Sequence, residues 1–286
     1  MKILVTGAAG FIGSFLAEEL AYRRHDVVCI DSLNDYYDVN FKYCRLQRLG
    51  IYPSTGDCES HKYDNLKFIK MNICDRAKVD QLFKKEKFNM VLHFAAQAGV
   101  RDSIVNLQEY KDSNIDGFFN IIDASKNHDI KKFIYASSSS VYANSNSVIV
   151  DPKSFYGATK VCNEVIAESY YKNHNLNTCG LRLFSVYGPE GRPDMAYFKF
   201  AQNIIEEKPI TLFNNGQMFR DFTYIDDVVK IVLNIAFDDS VDHFEAIDVG
   251  KGFPDSLMCL VKALENSLNM KALVICEETY PKIDVL

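Results

Sequence analysis

Six short apolar runs recur through the first two-thirds of the chain: 2–6 (KILVT), 26–31 (DVVCID), 67–73 (KFIKMNI), 90–96 (MVLHFAA), 131–138 (KKFIYASS) and 178–184 (TCGLRLF). They are apolar nearly end to end rather than at alternate positions, the pattern of strands covered on both faces. Amphipathic stretches separate them. Ile12, Phe15, Leu16 and Leu20 fall on one helical face, and so do Ile115, Phe118, Phe119 and Ile122. Strands that alternate with helices and need cover on both sides predict an α/β fold built on a doubly wound parallel sheet.

The rhythm breaks twice. Residues 34–66 are rich in Tyr, Asp, Asn and Lys, and predict a short helix near 41–49 followed by an exposed excursion through Pro53-Ser54-Thr55-Gly56-Asp57. Beyond Gly188-Pro189, helices near 195–207, 226–237 and 255–268, a hairpin turning at Asn214-Asn215-Gly216 and a strand at 272–276 predict a smaller α+β portion. Two domains are therefore expected, 1–185 around the sheet and 186–286 beside it.

Composition bounds the function. At 286 residues, 48% hydrophobic, the chain can bury a sizeable core. A formal charge of -6 without any basic run argues against nucleic acid, and no apolar run approaches membrane-spanning length. The eight cysteines (29, 44, 58, 74, 162, 179, 259 and 276) form no CxxC pair and have no nearby His at ligand spacing, so reduced thiols and no metal are expected. The N-terminus enters a strand at once, with no signal peptide, which predicts a cytoplasmic protein.

Two stretches carry chemistry. Thr6-Gly7-Ala8-Ala9-Gly10-Phe11-Ile12-Gly13 lies between the first strand and the first helix. Glycines there permit a tight turn and bring backbone N–H groups at a helix start within reach of a pyrophosphate. Asp31 closes the second strand, where a carboxylate accepts both ribose hydroxyls of an adenosine and repels a 2′-phosphate, so NAD is favoured over NADP. The plainer reading, a glycine turn with no ligand, leaves that acid unexplained. The second stretch is Tyr156-Gly157-Ala158-Thr159-Lys160, whose phenol and ammonium share one helical face. A phenol near its usual pKa of about 10 is a poor base, but a nearby ammonium favours the phenolate. Such a pair alone is surface decoration more often than catalysis. It gains weight from the glycine turn upstream and from a strand that ends in Ser137-Ser138-Ser139-Ser140.

The chain resembles the extended short-chain dehydrogenase/reductase family, in its NAD-dependent epimerase/dehydratase group. The resemblance runs along the whole chain and is carried by TGAAGFIG (6–13), HFAAQAGVR (93–101), YASSSSVY (135–142), YGATK (156–160), RLFSVYGPEGRPDM (182–195) and RDFTYIDD (220–227). Within the group, GVRDSI, GPEGRPDMAYFKF and RDFTYIDD look most like UDP-glucuronate 4-epimerases. The resemblance implies a Rossmann-type domain followed by a nucleotide-sugar-binding portion, NAD as cofactor, a UDP-sugar substrate and a homodimer built on the helices near 106–126 and 156–173.

It also implies roles. Tyr156 takes the sugar 4-OH proton while hydride leaves C4, and the 4-keto sugar turns over and takes the hydride back. Ser138 bridges Tyr156 and the sugar oxygen, and Lys160 holds the nicotinamide ribose. Gly7, Gly10, Phe11, Ile12, Gly13 and Asp31 form the cofactor turn, and Phe94, Ala95 and Ala96 line it. Asn72, followed by Ile73, stands where the family has an Asp beside the adenine. Ser138, Ser139, Ser185 and Arg192 match groups that hold the sugar carboxylate, which must be kept out of line with the C4 ketone to avoid loss of carbon dioxide. Arg220 pairs with the diphosphate. Arg101 approaches it or forms a surface salt bridge. Ser137 is expected on the strand and cofactor side, and Asp226 and Asp227 as helix-start charges. Related decarboxylases and dehydratases carry an acid within the serine segment, and Ser139 and Ser140 leave none.

The chain departs from the family in a shorter loop between Tyr142 and Tyr156, in Glu190 where a large aromatic is common, and in ending where members continue with further helices. A shortened or fragmentary substrate portion is expected there. The rival functions are another nucleotide-sugar epimerase or a decarboxylase, and a catalytically silent NAD-binding protein.

Overall fold

The structure is a computed structural model that describes residues 1–52, 57–142, 149–238 and 243–278. In the first half the strands are β1 (Lys2–Thr6), β2 (Asp26–Asp31), β3 (Cys58–Glu59), β4 (Leu66–Lys70), β5 (Met90–His93) and β6 (Lys132–Ser138). They continue as β7 (Thr178–Leu183), β8 (Ser185–Tyr187), β9 (Pro209–Leu212), β10 (Phe219–Arg220), β11 (Phe222–Tyr224), β12 (Glu245–Val249), β13 (Asp255–Ser256) and β14 (Leu273–Cys276). The helices are α1 (Phe11–Tyr22), α2 (Asn40–Arg48), α3 (Arg76–Glu86), α4 (Leu107–Tyr110), α5 (Phe118–Asn127), α6 (Phe155–His174), α7 (Ala196–Ile205), α8 (Ile225–Phe237) and α9 (Leu257–Leu268).

One sheet of order β12-β7-β6-β5-β1-β2-β4-β3 organises the molecule, parallel throughout except where β3 meets β4. Its order reverses beside β1, which has β2 on one flank and β5 on the other, so the expected doubly wound α/β sheet is present. Register matters for the site. Thr6 lies opposite His93, His93 opposite Tyr135, and Ser138 opposite Leu183, so the carboxyl ends of β1, β5, β6 and β7 form one stepped ledge, on which β6 and β7 project beyond β1 and β5.

Apolar side chains cover both faces. Ile3, Val5, Leu92, Ile134 and Leu181 pack under α1 and α8, while Leu4, Val91, Phe133 and Tyr135 pack under α3, α5 and α6. The alternation along each strand is thus between two cores rather than between core and water. α1 is buried round much of its girth because α8 lies on its outer side.

Three expectations are corrected. β9 and β10 are not a hairpin: β9 pairs in parallel with β14, and β10 pairs antiparallel with β13. Asn214, Asn215 and Gly216 do have positive φ, as a tight turn requires, but the strands on either side find partners elsewhere. The single apolar face through Ile115, Phe118, Phe119 and Ile122 is broken by a π turn over Lys111–Gly117. A wide turn carries one more residue than an α turn and rotates the stripe, which buries Phe118, Ile121 and Ile122 and leaves Phe119 exposed. Strands expected to reach 73 and 96 end at Lys70 and His93, where the chain turns into loops at the carboxyl edge of the sheet.

Beyond residue 185 the chain both builds a new body and returns to the old one. Ile204, Ile210, Leu212 and Val261 form a small separate core under α7 and α9. α8 and β12, however, join the large sheet, with Glu245–Val249 paired along Cys179–Leu183. Among the described residues no helix is long and apolar enough to cross a membrane. All eight cysteines are free thiols, Cys29 and Cys179 buried. The turn expected at Pro53-Ser54-Thr55-Gly56, most of the loop after Tyr142 and the segment from Pro281 to Leu286 lie outside the described residues.

Phe133 is fully buried, edge-on to Phe118 and stacked with His93 and Tyr135. Phe133→Ala is expected to cost about 3–5 kcal/mol of stability, measured by urea unfolding.

Candidate active site

The ledge is bordered on one side by the turn between β1 and α1. Gly7 has φ +70°, and a Cβ there would lie 2.6 Å from the Ala95 nitrogen and from the Phe94 carbonyl. Glycine is therefore required where this turn meets the chain leaving β5. Gly13 has the same origin: a Cβ would lie 2.2 Å from the Gly7 oxygen. The Gly10 N–H closes the turn on the Gly7 carbonyl at 2.9 Å, and Thr6 Oγ1 accepts from the Ala95 N–H at 3.1 Å. α1 starts with no side-chain cap and no acid in its first turn, unlike α3, α6 and α9, which Asp75, Ser154 and Ser256 cap. An uncapped helix start behind a glycine turn offers its N–H groups to an anion.

Asp31 is nearly buried, and its two oxygens accept from the Ala9 N–H at 3.1 Å and the Leu33 N–H at 2.8 Å. Those bonds aim the carboxylate and leave each oxygen a further lone pair for a hydroxyl donor. Phe94, Ala95 and Ala96 are half-buried beside the turn. Two further residues follow β4. Asn72 Oδ1 accepts from the Cys74 N–H at 2.9 Å, and Ile73 is buried against Gly117 in the core.

Ser138, Tyr156 and Lys160 meet at the other side of the ledge. Ser154 caps α6 by accepting from the Gly157 N–H at 3.0 Å, and the Tyr156 N–H donates to Ser103 Oγ at 3.2 Å. The helix start is thereby fixed to the loop after β5. The Ser138 hydroxyl lies near enough to the Tyr156 phenol to draw it toward ionisation, and accepts from the Ser140 N–H at 3.1 Å. Lys160 Nζ donates to the Ala136 carbonyl at 2.8 Å and lies 5.8 Å from the centroid of the Tyr156 ring. Serine, tyrosine and lysine are thus brought together.

Burial raises the Tyr156 phenol above its ordinary value, while the Ser138 hydroxyl and the Arg192 charge draw it back down. Burial pushes Lys160 down to about 8, opposed by the Glu164 carboxylate. His93 is pushed down to about 3 by burial and by the Lys160 charge, so this imidazole, paired with Thr6 Oγ1 at 2.9 Å, is neutral.

Arg192 belongs to the same cluster. Asp194 holds it in a two-point pair, Nε to Oδ1 at 3.1 Å and Nη2 to Oδ2 at 2.5 Å, and its guanidinium lies 5.9 Å from the Tyr36 ring centroid. Ser139 opens the short helical turn that follows Ser138, half-buried. Ser185 starts β8, its N–H on the Asp221 carbonyl at 3.0 Å, and Arg220 lies on the β10–β13 ribbon with Nη1 on the Phe219 carbonyl at 2.7 Å. Arg101 is exposed, just ahead of a short helical turn at Asp102–Ile104. Ser137 turns away from these residues: its hydroxyl donates to Glu164 Oε1 on α6 at 2.6 Å.

Over residues 3–250 the chain matches the NAD dependent epimerase/dehydratase family. The chain belongs to that family. Protein CapI of Staphylococcus aureus is 41% identical over 295 residues, covering 95% of this chain and 85% of that one. UDP-glucuronate 4-epimerase of Thermodesulfobacterium geofontis (strain OPF15) is 39% identical over 276 residues, covering 94% and 81%. Among solved structures, UDP-glucuronic acid 4-epimerase from Bacillus cereus in complex with UDP-glucuronic acid and NAD superposes with a TM-score of 0.87 at 33% identity, covering 98% of this chain and 87% of that one.

The structure also brings to these groups residues that sequence reading missed. Arg45 on α2 is fully buried and joins both halves of the site. It donates to the Ala9 carbonyl of the glycine turn at 3.2 Å and to the Glu190 and Gly191 carbonyls beside Arg192 at 2.9 and 3.1 Å. Lys42, one turn earlier, donates to Asn34 at both its carbonyl and its side-chain oxygen, and Asn34 in turn donates to Gln97 Oε1 at 3.2 Å. Tyr110 packs edge-on against Tyr156, its hydroxyl on the Ala98 and Gly99 carbonyls. The α2 pair did leave a signal, since Lys42, Arg45, Leu46 and Leu49 share one helical face and all are buried. Cations on an apolar stripe mark a buried polar site.

Gly7→Ala places a methyl into the Phe94–Ala95 backbone at a φ of +70°. The variant is expected to lose bound NAD and to unfold at lower urea concentration, whereas Ala9→Gly retains the cofactor. Nucleotide released from the denatured protein, quantified by chromatography, checks this.

Proposed function

We propose that this chain interconverts the C4 epimers of a UDP-sugar, UDP-glucuronate and UDP-galacturonate being the pair it handles, with NAD held across the glycine turn. The observation that carries this reading is the Ser138–Tyr156–Lys160 cluster with the clamped Arg192 charge beside it. Bound NAD supplies the hydride acceptor and donor. The uncapped start of α1 and the aimed Asp31 carboxylate suit its pyrophosphate and adenosine ribose, with Gly7, Gly10, Phe11, Ile12, Gly13, Phe94, Ala95 and Ala96 around them.

In this reading the Tyr156 phenolate takes the proton from the sugar 4-hydroxyl and returns it to the opposite epimer. Ser138 bridges the phenol and that oxygen. The Lys160 ammonium and Arg192 stabilise the phenolate that proton removal requires. Arg192, Ser139 and Ser185 hold the C6 carboxylate, and hydroxyl and guanidinium donors fix its plane without neutralising it. The turn after Ser138 carries Ser139 and Ser140 rather than an acid, which supports epimerisation over decarboxylation. Residues 186–286 contribute the nucleotide-sugar side, with Arg220 and Arg101 toward the diphosphate.

We further propose a homodimer across α5 and α6, where Phe119 and Val165 are 38% and 60% exposed. We propose too that the reaction is cytoplasmic and precedes polysaccharide assembly, a reading supported by the chemistry of a nucleotide-activated uronate as a glycosyl donor.

Proton NMR of NAD-loaded protein with UDP-glucuronate is expected to show the UDP-galacturonate anomeric signal growing to a fixed ratio. Release of carbon dioxide with a UDP-pentose, or turnover of UDP-glucose alone, selects the neighbouring activities, and a static spectrum sinks the reading. Tyr156→Phe is expected to lower kcat by about 10²–10⁴-fold while KM stays near the wild-type value. The pH profile follows from the lysine. Lys160 carries its charge below about 8 and loses it as the pH rises through that value, so kcat is expected to fall on the alkaline side from about pH 8.

A further inference from the structure

Glu164 lies on α6 one turn beyond Lys160, on the same face and buried. Its Oε1 accepts from Ser137 Oγ at 2.6 Å and from Arg182 Nε at 3.0 Å, and its Oε2 accepts from Arg182 Nη2 at 2.8 Å. Arg182 Nη1 then donates to the Tyr142 hydroxyl at 2.7 Å, and Tyr142 donates to Asp248 Oδ1 at 2.7 Å. Carboxylate, guanidinium, phenol and carboxylate therefore run in a row from α6 across the ends of β6 and β7 to β12.

This row sits behind the reacting groups and grips them from two directions. One is through the backbone. Ser137 precedes Ser138 at the end of β6, and successive strand residues face opposite ways. A Ser137 hydroxyl tied to Glu164 therefore fixes the facing of Ser138, and with it the hydroxyl beside Tyr156.

The other grip is electrostatic. Lys160 is 3% exposed, and its nearest acceptor is the Ala136 carbonyl, a dipole rather than a charge. Around it stand the neutral His93 ring from β5 and the Tyr156 phenol and Glu164 on its own helix. Tyr135 from β6 and Arg182 from β7 lie against Glu164. Of these groups, Glu164 carries the negative charge. A buried ammonium with no anion near it gives up its proton.

We propose that Glu164 is a positioning residue of the epimerisation: its carboxylate fixes the strand end that carries Ser138 and supplies the counter-charge to the Lys160 ammonium. The catalytic half of this rests on the epimerase reading, and the counter-charge half does not. Removing the charge lets Lys160 deprotonate at lower pH, so phenolate support is lost earlier on the alkaline side. Ser137→Ala, by contrast, loosens Ser138 and leaves the charge in place.

The test titrates Lys160 in NAD-loaded full-length protein carrying lysine labelled with ¹³C at Cε, alongside pH profiles of kcat and KM on UDP-glucuronate. Glu164→Gln is expected to lower the Lys160 midpoint by about one pH unit, and the alkaline limb of kcat moves with it. At pH 8 its kcat is expected to fall about tenfold or more, with KM within about twofold of wild type. Glu164→Asp restores the midpoint. Ser137→Ala lowers kcat and moves neither midpoint nor limb. Where Glu164→Gln alone fails to fold because Arg182 is left buried without its partner, Glu164→Gln with Arg182→Met removes both charges and still lowers the midpoint, by less than the single change because the neighbouring cation has gone as well.

An unmoved Lys160 midpoint in the charge-free variants overturns the proposal. So does an equal displacement in Ser137→Ala, or a loss confined to KM. If wild-type protein turns over no UDP-sugar while the Lys160 midpoint still falls in Glu164→Gln, the epimerase reading is what fails and the counter-charge stands.

Discussion

Everything at the site hangs from the register of four parallel strands. Because Thr6 is opposite His93, His93 opposite Tyr135, and Ser138 opposite Leu183, β1 and β5 end level with one another while β6 and β7 project beyond them to Ser138 and Leu183. One edge of that ledge leads into the glycine turn and the other into the serine run. A slip of one residue in β6 would exchange Ser137 with Ser138 between the two faces. The register is held by cores on both sides of the sheet, where Phe133, Tyr135, Ile134 and Leu181 are all fully buried. The chemistry at the edge is therefore set by apolar packing that never touches a ligand.

The parts visible in the sequence were those whose causes are local or repetitive. Strands buried on both faces are apolar along their length, so β1 and β2 coincide with the expected runs at 2–6 and 26–31. Gly7 needs a positive φ for a tight turn, and that can be seen within a few residues. What stayed hidden depends on distant partners. The positive φ values at Asn214, Asn215 and Gly216 are local, but whether a turn joins two paired strands depends on β13 and β14, far along the chain. The return of β12 to the edge beside β7 has the same character. The π turn at Lys111–Gly117 is paired with tertiary contacts: Asn114 within it exchanges hydrogen bonds with Gln97 and donates to Thr159.

The same distinction divides the site residues. Tyr156 and Lys160 lie four apart on one helix and could be paired on paper, whereas Arg45 reaches the Glu190 and Gly191 carbonyls nearly 150 positions away. Serine placement within the run was harder. Four consecutive serines look alike in sequence, and only the alternation at the end of β6 separates Ser137, bound to Glu164, from Ser138, beside Tyr156.

Cations explain why the surrounding framework is so tightly bonded. A phenolate at Tyr156 requires positive charge nearby, but a cation buried alone is costly and tends to lose its proton or recruit water. The structure meets this by setting an acid near each cation beside the phenol: Asp194 in a direct pair with Arg192, and Glu164, itself paired with Arg182, one helical turn from Lys160. Asp194 grips Arg192 at two points, and Glu164 is oriented by Arg182 and Ser137. The arrangement also separates two roles. Arginine stays charged at any working pH, so the Arg192–Asp194 pair suits the holding of a substrate carboxylate. Lys160, already pushed down to about 8, is poised to respond to what faces it, and the residue that faces it is Glu164. A fixed charge for binding and a tunable one for proton transfer can then sit beside the same phenol without interchange.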